Sequence, residues 1–153
     1  MKRKSCCIVG HKNLKPYKSD HIKASLEKEI LQAIQDGYTH FISGFDEGAG
    51  LIAAEIVAGL KTRNPALTLE AALPYRGRIA TGSPLFHRLL GQCSIVGVHN
   101  EEYDPFCIIR RNRAMVSLAQ RLIAVYDGCP GSDVSSALRC AYAKELEIRI
   151  VHL

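Results

Sequence analysis

The sequence predicts an α/β fold, a single Rossmann-like domain with a doubly wound, mostly parallel sheet and helices on both faces. Short apolar runs alternate along the chain with longer segments of helical periodicity. Several of these runs stop at glycine clusters that lead into a helix, as in open α/β sheets. The length of 153 residues, with 47% hydrophobic and 23% charged residues, fits one globular domain over residues 1–153.

The first half of the chain predicts three strands and two helices. In order they are strand 5–9, a helix from about 20 to 36, strand 39–42, a helix from 49 to about 62, and strand 67–73. The first helix places apolar residues at helical spacing, namely Ile22, Leu26, Ile30, Leu31 and Ile34. Gly37 follows it as a typical C-terminal glycine.

The second half begins with an irregular basic loop over 74–84. The elements predicted after it are a short helix 85–90, strand 94–99, an acidic loop 100–105, helix 106–119, strand 121–126, a last helix ending near 146, and strand 148–152. Either Ser132 or Asp133 caps the last helix. One face of this helix is apolar, formed by Ala137, Leu138, Ala141 and Tyr142.

Composition and charge exclude several classes of protein. No apolar run approaches the roughly 20 residues of a membrane span, and the basic start is followed by too short an apolar stretch for a signal peptide, so a cytoplasmic protein without membrane contact is expected. The six cysteines form no CxxC pair, and we expect no metal and no cofactor. Cys129 is the one cysteine for which a reactive role is considered, because a thiol ahead of a helix N-terminus can be reactive. The net charge of +5 suits an anionic ligand or weak attraction to nucleic acid.

Two glycine-containing turns are candidates for ligand contact. The cluster 127–131 ends strand 121–126 and leads into the last helix, and its backbone N–H groups would lie where such sheets bind anionic ligands. An ordinary βα turn explains the same residues. The second turn, 43–50, carries Gly44, Gly48 and Gly50, whose spacing is not the dinucleotide fingerprint.

Four segments together resemble the SLOG superfamily, and within it the YpsA-like (DUF1273) branch. They are GHK (10–12), SGFDEGAGLIAAE (43–55), RNRAMV (111–116) and LIAVYDG…GSD…YA (122–143). The resemblance implies a Rossmann-like fold with a pocket for a nucleotide or a nucleotide-derived ligand. The superfamily also includes the LOG phosphoribohydrolases and the DNA-processing protein DprA.

Residue by residue, the resemblance gives the motifs specific positions. Ser43, Gly44 and Gly48 match one family turn, and Arg111, Asn112 and Met115 match the family's R-[NK]-x-x-M element. Gly131 begins what is usually a G-G-T segment.

The chain also departs from the family pattern. Ser136 stands where phosphoribohydrolases carry a catalytic Glu, and a hydroxyl cannot stabilise an oxocarbenium-like centre as a carboxylate does. The catalytic residues are therefore unknown, with Asp133 and Arg111 as candidates, and whether the protein is an enzyme stays open.

The ligand-binding residues predicted from the turns and the resemblance are Gly10, His11, Ser43, Gly44, Gly48, Arg111, Asn112, Asp127, Gly128, Gly131, Ser132 and Asp133. Arg111 is favoured over Arg113 as the arginine that reaches a phosphate. His11 either binds a ligand group or is structural. The acids Asp46, Glu47 and Asp133 either cap helices or accept ribose hydroxyls.

Four further residues each allow two interpretations. Tyr75, Arg76 and Arg78 either close over the pocket or belong to a surface loop. Glu55 is expected on the surface of the second helix or as a supporting carboxylate.

Three functions compete. The first is a noncatalytic sensor or binding module for a nucleotide or nucleotide-derived ligand. The second is a nucleotide N-glycosidase of the phosphoribohydrolase type that uses Asp133, Asp46 or Glu55 as a non-standard carboxylate. The third, a DNA-associated protein similar to DprA, is disfavoured because no basic stripe is present. A homodimer formed through apolar positions in 108–116 is a further expectation.

Overall fold

The computed structural model describes residues 3–12 and 14–153. Its centre is a six-stranded, all-parallel sheet in the order β4-β3-β2-β1-β5-β6. The strands are β1 Lys4–Gly10, β2 Tyr38–Ser43, β3 Thr68–Leu73, β4 Ile95–Val98, β5 Arg121–Tyr126 and β6 Glu147–His152. The predicted fold class is confirmed, because apolar runs without alternation form strands that pack helices on both faces.

Helices connect all of these strands. They are α1 Ser19–Gln35, α2 Ala49–Lys61, α3 Arg78–Thr81, α4 Pro84–Leu90, α5 Cys107–Leu118 and α6 Asp133–Ala143, with a 3-10 turn at Pro16–Lys18 before α1. The single turn α3 lies inside the segment 74–84, which the sequence predicted to be irregular throughout. The last helix ends three residues before the predicted position, at Ala143, because Glu145 adopts a left-handed backbone conformation with φ 58°.

Two cores lie on opposite faces of the sheet. One packs α1, α2 and α4 against it, and the other packs α5 and α6. The core face of α6 consists of Val134, Ala137, Leu138 and Ala141. Tyr142 was predicted on that face but is 75% exposed, because the next position on a helix turns by about 100° and points away from the sheet.

The strand order contains one reversal that matters for a ligand. From β1 the chain first builds outward through β2, β3 and β4, and then returns to place β5 on the other side of β1. The loops that follow β1 and β5 therefore lead to opposite faces and leave a crevice between them. This crevice is where ligands bind in open α/β sheets.

The apolar residues proposed for a dimer interface are partly used inside the protomer. Met115 and Val116 are buried in the core beneath α5, and Ile108 is partly exposed. Oligomerisation thus stays a prediction. Within residues 3–12 and 14–153, no helix has both the length and the apolarity needed to cross a bilayer.

Candidate ligand-binding site

A cleft of about 470 Å³ opens at the carboxyl ends of β1 and β5. It is lined by the β1–α1 loop, the β2–α2 turn, the first half of α5 and the start of α6. The residues are Val9, Gly10, His11, Lys12, Asp46, Ile108, Arg111, Asn112, Asp127, Gly131, Ser132, Asp133, Val134 and Leu153. Both predicted turns therefore reach the same edge of the cleft: turn 43–50 through Asp46, and turn 127–131 with the start of α6 through 127 and 131–133.

Arg111 connects the β2–α2 turn to the end of β3 through its guanidinium group. Its side chain is 1% exposed, and its guanidinium donates to the Asp46 carboxylate at 2.8 Å. Nη1 donates to the carbonyl oxygens of Gly44 at 2.9 Å and Ala72 at 3.1 Å, and Nε donates to the Asn112 side-chain oxygen at 2.9 Å. An arginine carries five N–H donors, and these four hydrogen bonds use most of them, so little donor capacity remains for a ligand. Arg111 lies in the cleft wall, and phosphate binding by it stays a prediction.

Gly44 is present because Arg111 leaves no room for a side chain. A Cβ at this position would lie 2.6 Å from the Arg111 Cζ atom. Sequence reasoning missed the Arg111–Asp46 pair, since it assigned Asp46 to helix capping or ribose contact. Asp46 caps neither α2 nor any other described helix, because its carboxylate is taken by the arginine.

The rest of the β2–α2 turn is folded inward. Ser43 is fully buried, and its hydroxyl donates to the Gly50 carbonyl at 2.7 Å and accepts from the Phe45 amide at 3.2 Å. Gly48 has φ +107°, and a Cβ there would lie 2.3 Å from the Lys12 carbonyl oxygen. Ser43, Gly44 and Gly48 thus shape the loops around the cleft without lining it.

The β5–α6 turn is open by comparison. Ser132 caps α6, its hydroxyl accepting from the Ser135 amide at 3.1 Å, so of the two proposed caps the serine is the right one. Asp133 occupies the first turn, where a carboxylate favours the helix dipole. Within the described part of the chain, the amides of residues 131–134 donate to no protein acceptor. Gly128, which has φ +86°, lies outside the lining.

His11 and Asp127 join the ends of β1 and β5 across the cleft. The His11 Nε2 atom lies 3.1 Å from the Asp127 carboxylate and 3.3 Å from the Asp127 amide nitrogen, which donates to it. The Cys129 amide donates to the same carboxylate at 2.8 Å, and this bond, with His11 nearby, lowers the pKa of Asp127 below its ordinary value. The carboxylate remains partly exposed and charged at neutral pH.

The other residues singled out from sequence fall outside this cleft. Arg113 is exposed and does not line the cleft, whereas Arg111 is buried in its wall. Glu55 pairs with Arg88 at 3.2 Å on the protein surface, and Ser136 does not line the cleft. Arg76 forms a surface pair with Glu101 at 2.6 Å.

No group of three or more His, Cys, Asp or Glu side chains among the described residues has the arrangement of a metal site. The described cysteines are all free, and Cys129 is exposed in the turn before α6. The predicted binding set left out the lining residues Val9, Lys12, Asp46, Ile108, Val134 and Leu153. The GHK segment contained a signal for Lys12, since this residue directly follows the two predicted positions Gly10 and His11.

Fold and cleft together define a Rossmann-like α/β protein with its crevice at the point where the strand order reverses. Residues 6–152 match the YpsA family model, described as the YspA SLOG family, and the chain therefore belongs to that family. It is 27% identical over 137 residues to a UPF0398 protein of Bacillus pumilus (strain SAFR-032), a match that covers 81% of this chain and 74% of the relative.

Solved structures share the fold. DprA from Streptococcus pneumoniae superposes with a TM-score of 0.68 at 13% identity over 97% of this chain, which spans 50% of that protein's length. The protein TM1055 superposes with a TM-score of 0.61 at 16% identity. The match covers 95% of this chain and 72% of the TM1055 chain. DprA from Helicobacter pylori, whose single-stranded DNA binding mode has been studied, superposes with a TM-score of 0.62 at 18% identity. The match covers 96% of this chain and 64% of that protein.

Proposed function

We propose that the protein binds a nucleotide or nucleotide-derived ligand in the cleft between the ends of β1 and β5. One observation carries the proposal: the amides of residues 131–134, at the N-terminus of α6, have no acceptor within the described chain and belong to the wall of a 470 Å³ cleft. Free amides at a helix N-terminus suit a phosphate, because they donate hydrogen bonds along the positive end of the helix dipole.

The charges around the cleft suit a ribose as well as a phosphate. Asp127 and Asp133 offer carboxylate oxygens, which accept hydrogen bonds from sugar hydroxyls. His11 and Lys12 supply donors at the opposite wall, at the end of β1. We assign phosphate contact to Gly131 and Ser132, and ribose contact to Asp127 and Asp133.

Binding without turnover is the form of this function that the residues support. Ser136 replaces the glutamate of phosphoribohydrolases, and Glu55 faces Arg88 outside the cleft. Asp46 is held by Arg111, which leaves Asp133 and Asp127 as the acids open to a ligand. The pKa of Asp127 is lowered, so this carboxylate lacks the raised pKa that would keep a general acid protonated at neutral pH.

Calorimetric titration with AMP tests the proposal. Wild-type protein is expected to bind AMP with one-to-one stoichiometry. Gly131→Leu should weaken this binding by about tenfold or more, because a side chain added at Gly131 meets no protein atom within 4 Å and enters the space beside the cleft. Gly59→Leu is the matched control, since Gly59 also has no atom within 4 Å but lies on the exposed end of α2.

Absence of AMP binding to the wild type, or equal loss in both leucine variants, would remove the assignment. Incubation with AMP followed by chromatography of the free base separates binding from catalysis. We expect no base release. Release that Asp133→Asn abolishes would instead make the protein an N-glycosidase. Salt-dependent retardation of a single-stranded oligonucleotide would favour the DNA-associated alternative.

A further inference from the structure

A second cavity, of about 290 Å³, opens directly beside the ligand cleft. Lys12, Asp46 and Ile108 line both spaces, which therefore adjoin each other. The second cavity is completed by Glu47, Pro74, Tyr75, Arg78 and Tyr103, from the β2–α2 turn and the loops that follow β3 and β4.

The far wall of this cavity is aromatic. The rings of Tyr75 and Tyr103 meet edge to face, with centroids 5.5 Å apart and an interplanar angle of 78°. Tyr103 is 65% exposed, so core packing does not account for its position. An exposed ring beside a cavity is a surface on which a nucleobase can stack.

The loop that carries Tyr103 is fastened in place. Arg76 donates two hydrogen bonds to the Glu101 carboxylate, at 2.6 and 2.9 Å, and its amide donates to the Asn100 carbonyl at 3.1 Å. These contacts join the loop after β4 to the loop after β3. The surface pair of Arg76 therefore positions the aromatic wall.

The junction between the two cavities favours an anion. Asp46 is neutralised there by Arg111, at 2.8 Å. Among the described residues, no carboxylate lies within salt-bridge distance of Lys12, so the ammonium group is the unbalanced charge at the junction. Arg78 adds a second cation; its guanidinium donates to the Phe45 carbonyl at 3.2 Å and lies over the Phe86 ring. Glu47 is the remaining acid and can accept sugar hydroxyls.

We infer that the ligand is a dinucleotide, with one nucleotide in the cleft, the second phosphate of its diphosphate beside Lys12, and its second base against Tyr75 and Tyr103. This inference rests on the proposed nucleotide site and extends it by naming the ligand class. The second cavity, at about 290 Å³, has the size of a nucleoside rather than that of a single phosphate.

Titration of two probes, AMP and NAD, into the same variants tests the inference. Wild-type protein should bind NAD about tenfold or more tightly than AMP, because stacking a base on an aromatic side chain contributes on that scale. Tyr103→Ala should lower NAD affinity by about tenfold and leave AMP affinity within about twofold. Tyr103→Phe, which keeps the ring, should bind NAD as the wild type does.

Tyr142→Ala controls for loss of an exposed tyrosine, since Tyr142 lies on α6 with 75% of its surface exposed. Thermal unfolding of each variant shows whether it is folded. Binding of AMP with no gain for NAD, or an equal effect of Tyr103→Ala on both probes, overturns the dinucleotide inference and leaves the nucleotide site standing. Failure of both probes to bind the wild type overturns the proposed function itself.

Discussion

The two glycine-containing turns lie at the same edge of the sheet but are built in opposite ways. The β2–α2 turn is buried, and it directs Ser43 and Asp46 toward the protein through bonds to Gly50 and Arg111. The β5–α6 turn is exposed from 127 to 131, and amides at the start of its helix have no acceptor in the described chain. One turn supports the cleft, and the other presents donors to it.

This difference shows why glycines after a strand do not define a ligand site. Glycine serves two needs: it accommodates close packing or positive φ, and it lets a ligand approach the backbone. Gly44 and Gly48 meet the first need, because a Cβ at either would overlap Arg111 or the Lys12 carbonyl. Gly131 has open space around it and can meet the second.

Removal of the Arg111 guanidinium should have the largest effect on the supporting turn. Arg111→Met leaves a nearly buried Asp46 carboxylate without its cation, and the Gly44 and Ala72 carbonyls without their donor. Breaking a buried pair from one side costs about 3–5 kcal/mol, and we expect a loss of that size in the free energy of unfolding. Urea denaturation measures it.

The neighbouring arginine is the control. Arg110 forms an exposed pair with Asp104, so Arg110→Met should leave the unfolding midpoint nearly unchanged. The double variant Asp46→Leu/Arg111→Met should recover part of the stability, because no unpaired charge remains. Equal losses in the two single arginine variants would show that Arg111 does not support the β2–α2 turn.

Alanine substitutions at one glycine in each turn compare the turns directly. Gly48→Ala combines a strained φ of +107° with a Cβ only 2.3 Å from a backbone oxygen, and should cost about 2–4 kcal/mol. Gly131→Ala meets no atom within 4 Å and should change stability by no more than about 0.5 kcal/mol. Chemical denaturation of both variants gives the two values. Similar costs would mean that the second turn is as constrained as the first.

Sequence reasoning reached the fold, and it pointed to the sheet edge where the cleft opens, for identifiable reasons. Branched apolar runs and helical periodicity are local signals, and the carboxyl edge of a parallel sheet follows from them. The Asp46–Arg111 pair was missed because it joins residues far apart in sequence, and no local pattern reports such a contact. Tyr75 was considered as a residue that could close over the pocket. Its contact with Tyr103 was missed for the same reason, since the two rings meet only when the loops after β3 and β4 are placed side by side.

The exposed β5–α6 turn should also show a smaller effect, a pH-dependent contribution of Asp127 to stability. The Cys129 amide and His11 lower the pKa of Asp127, so in the folded protein it falls below the value of about 3.9 for an unperturbed aspartate. A group with a depressed folded pKa contributes stability above the unfolded pKa and loses that contribution as pH falls through the folded value. Asp127→Asn should therefore unfold at a lower urea concentration than the wild type at neutral pH. The urea midpoints of the two proteins should converge as the pH falls below about 3.9. Carboxyl carbon NMR gives the pKa itself, and titration of Asp127 at or above the ordinary value would show that the turn does not hold this carboxylate.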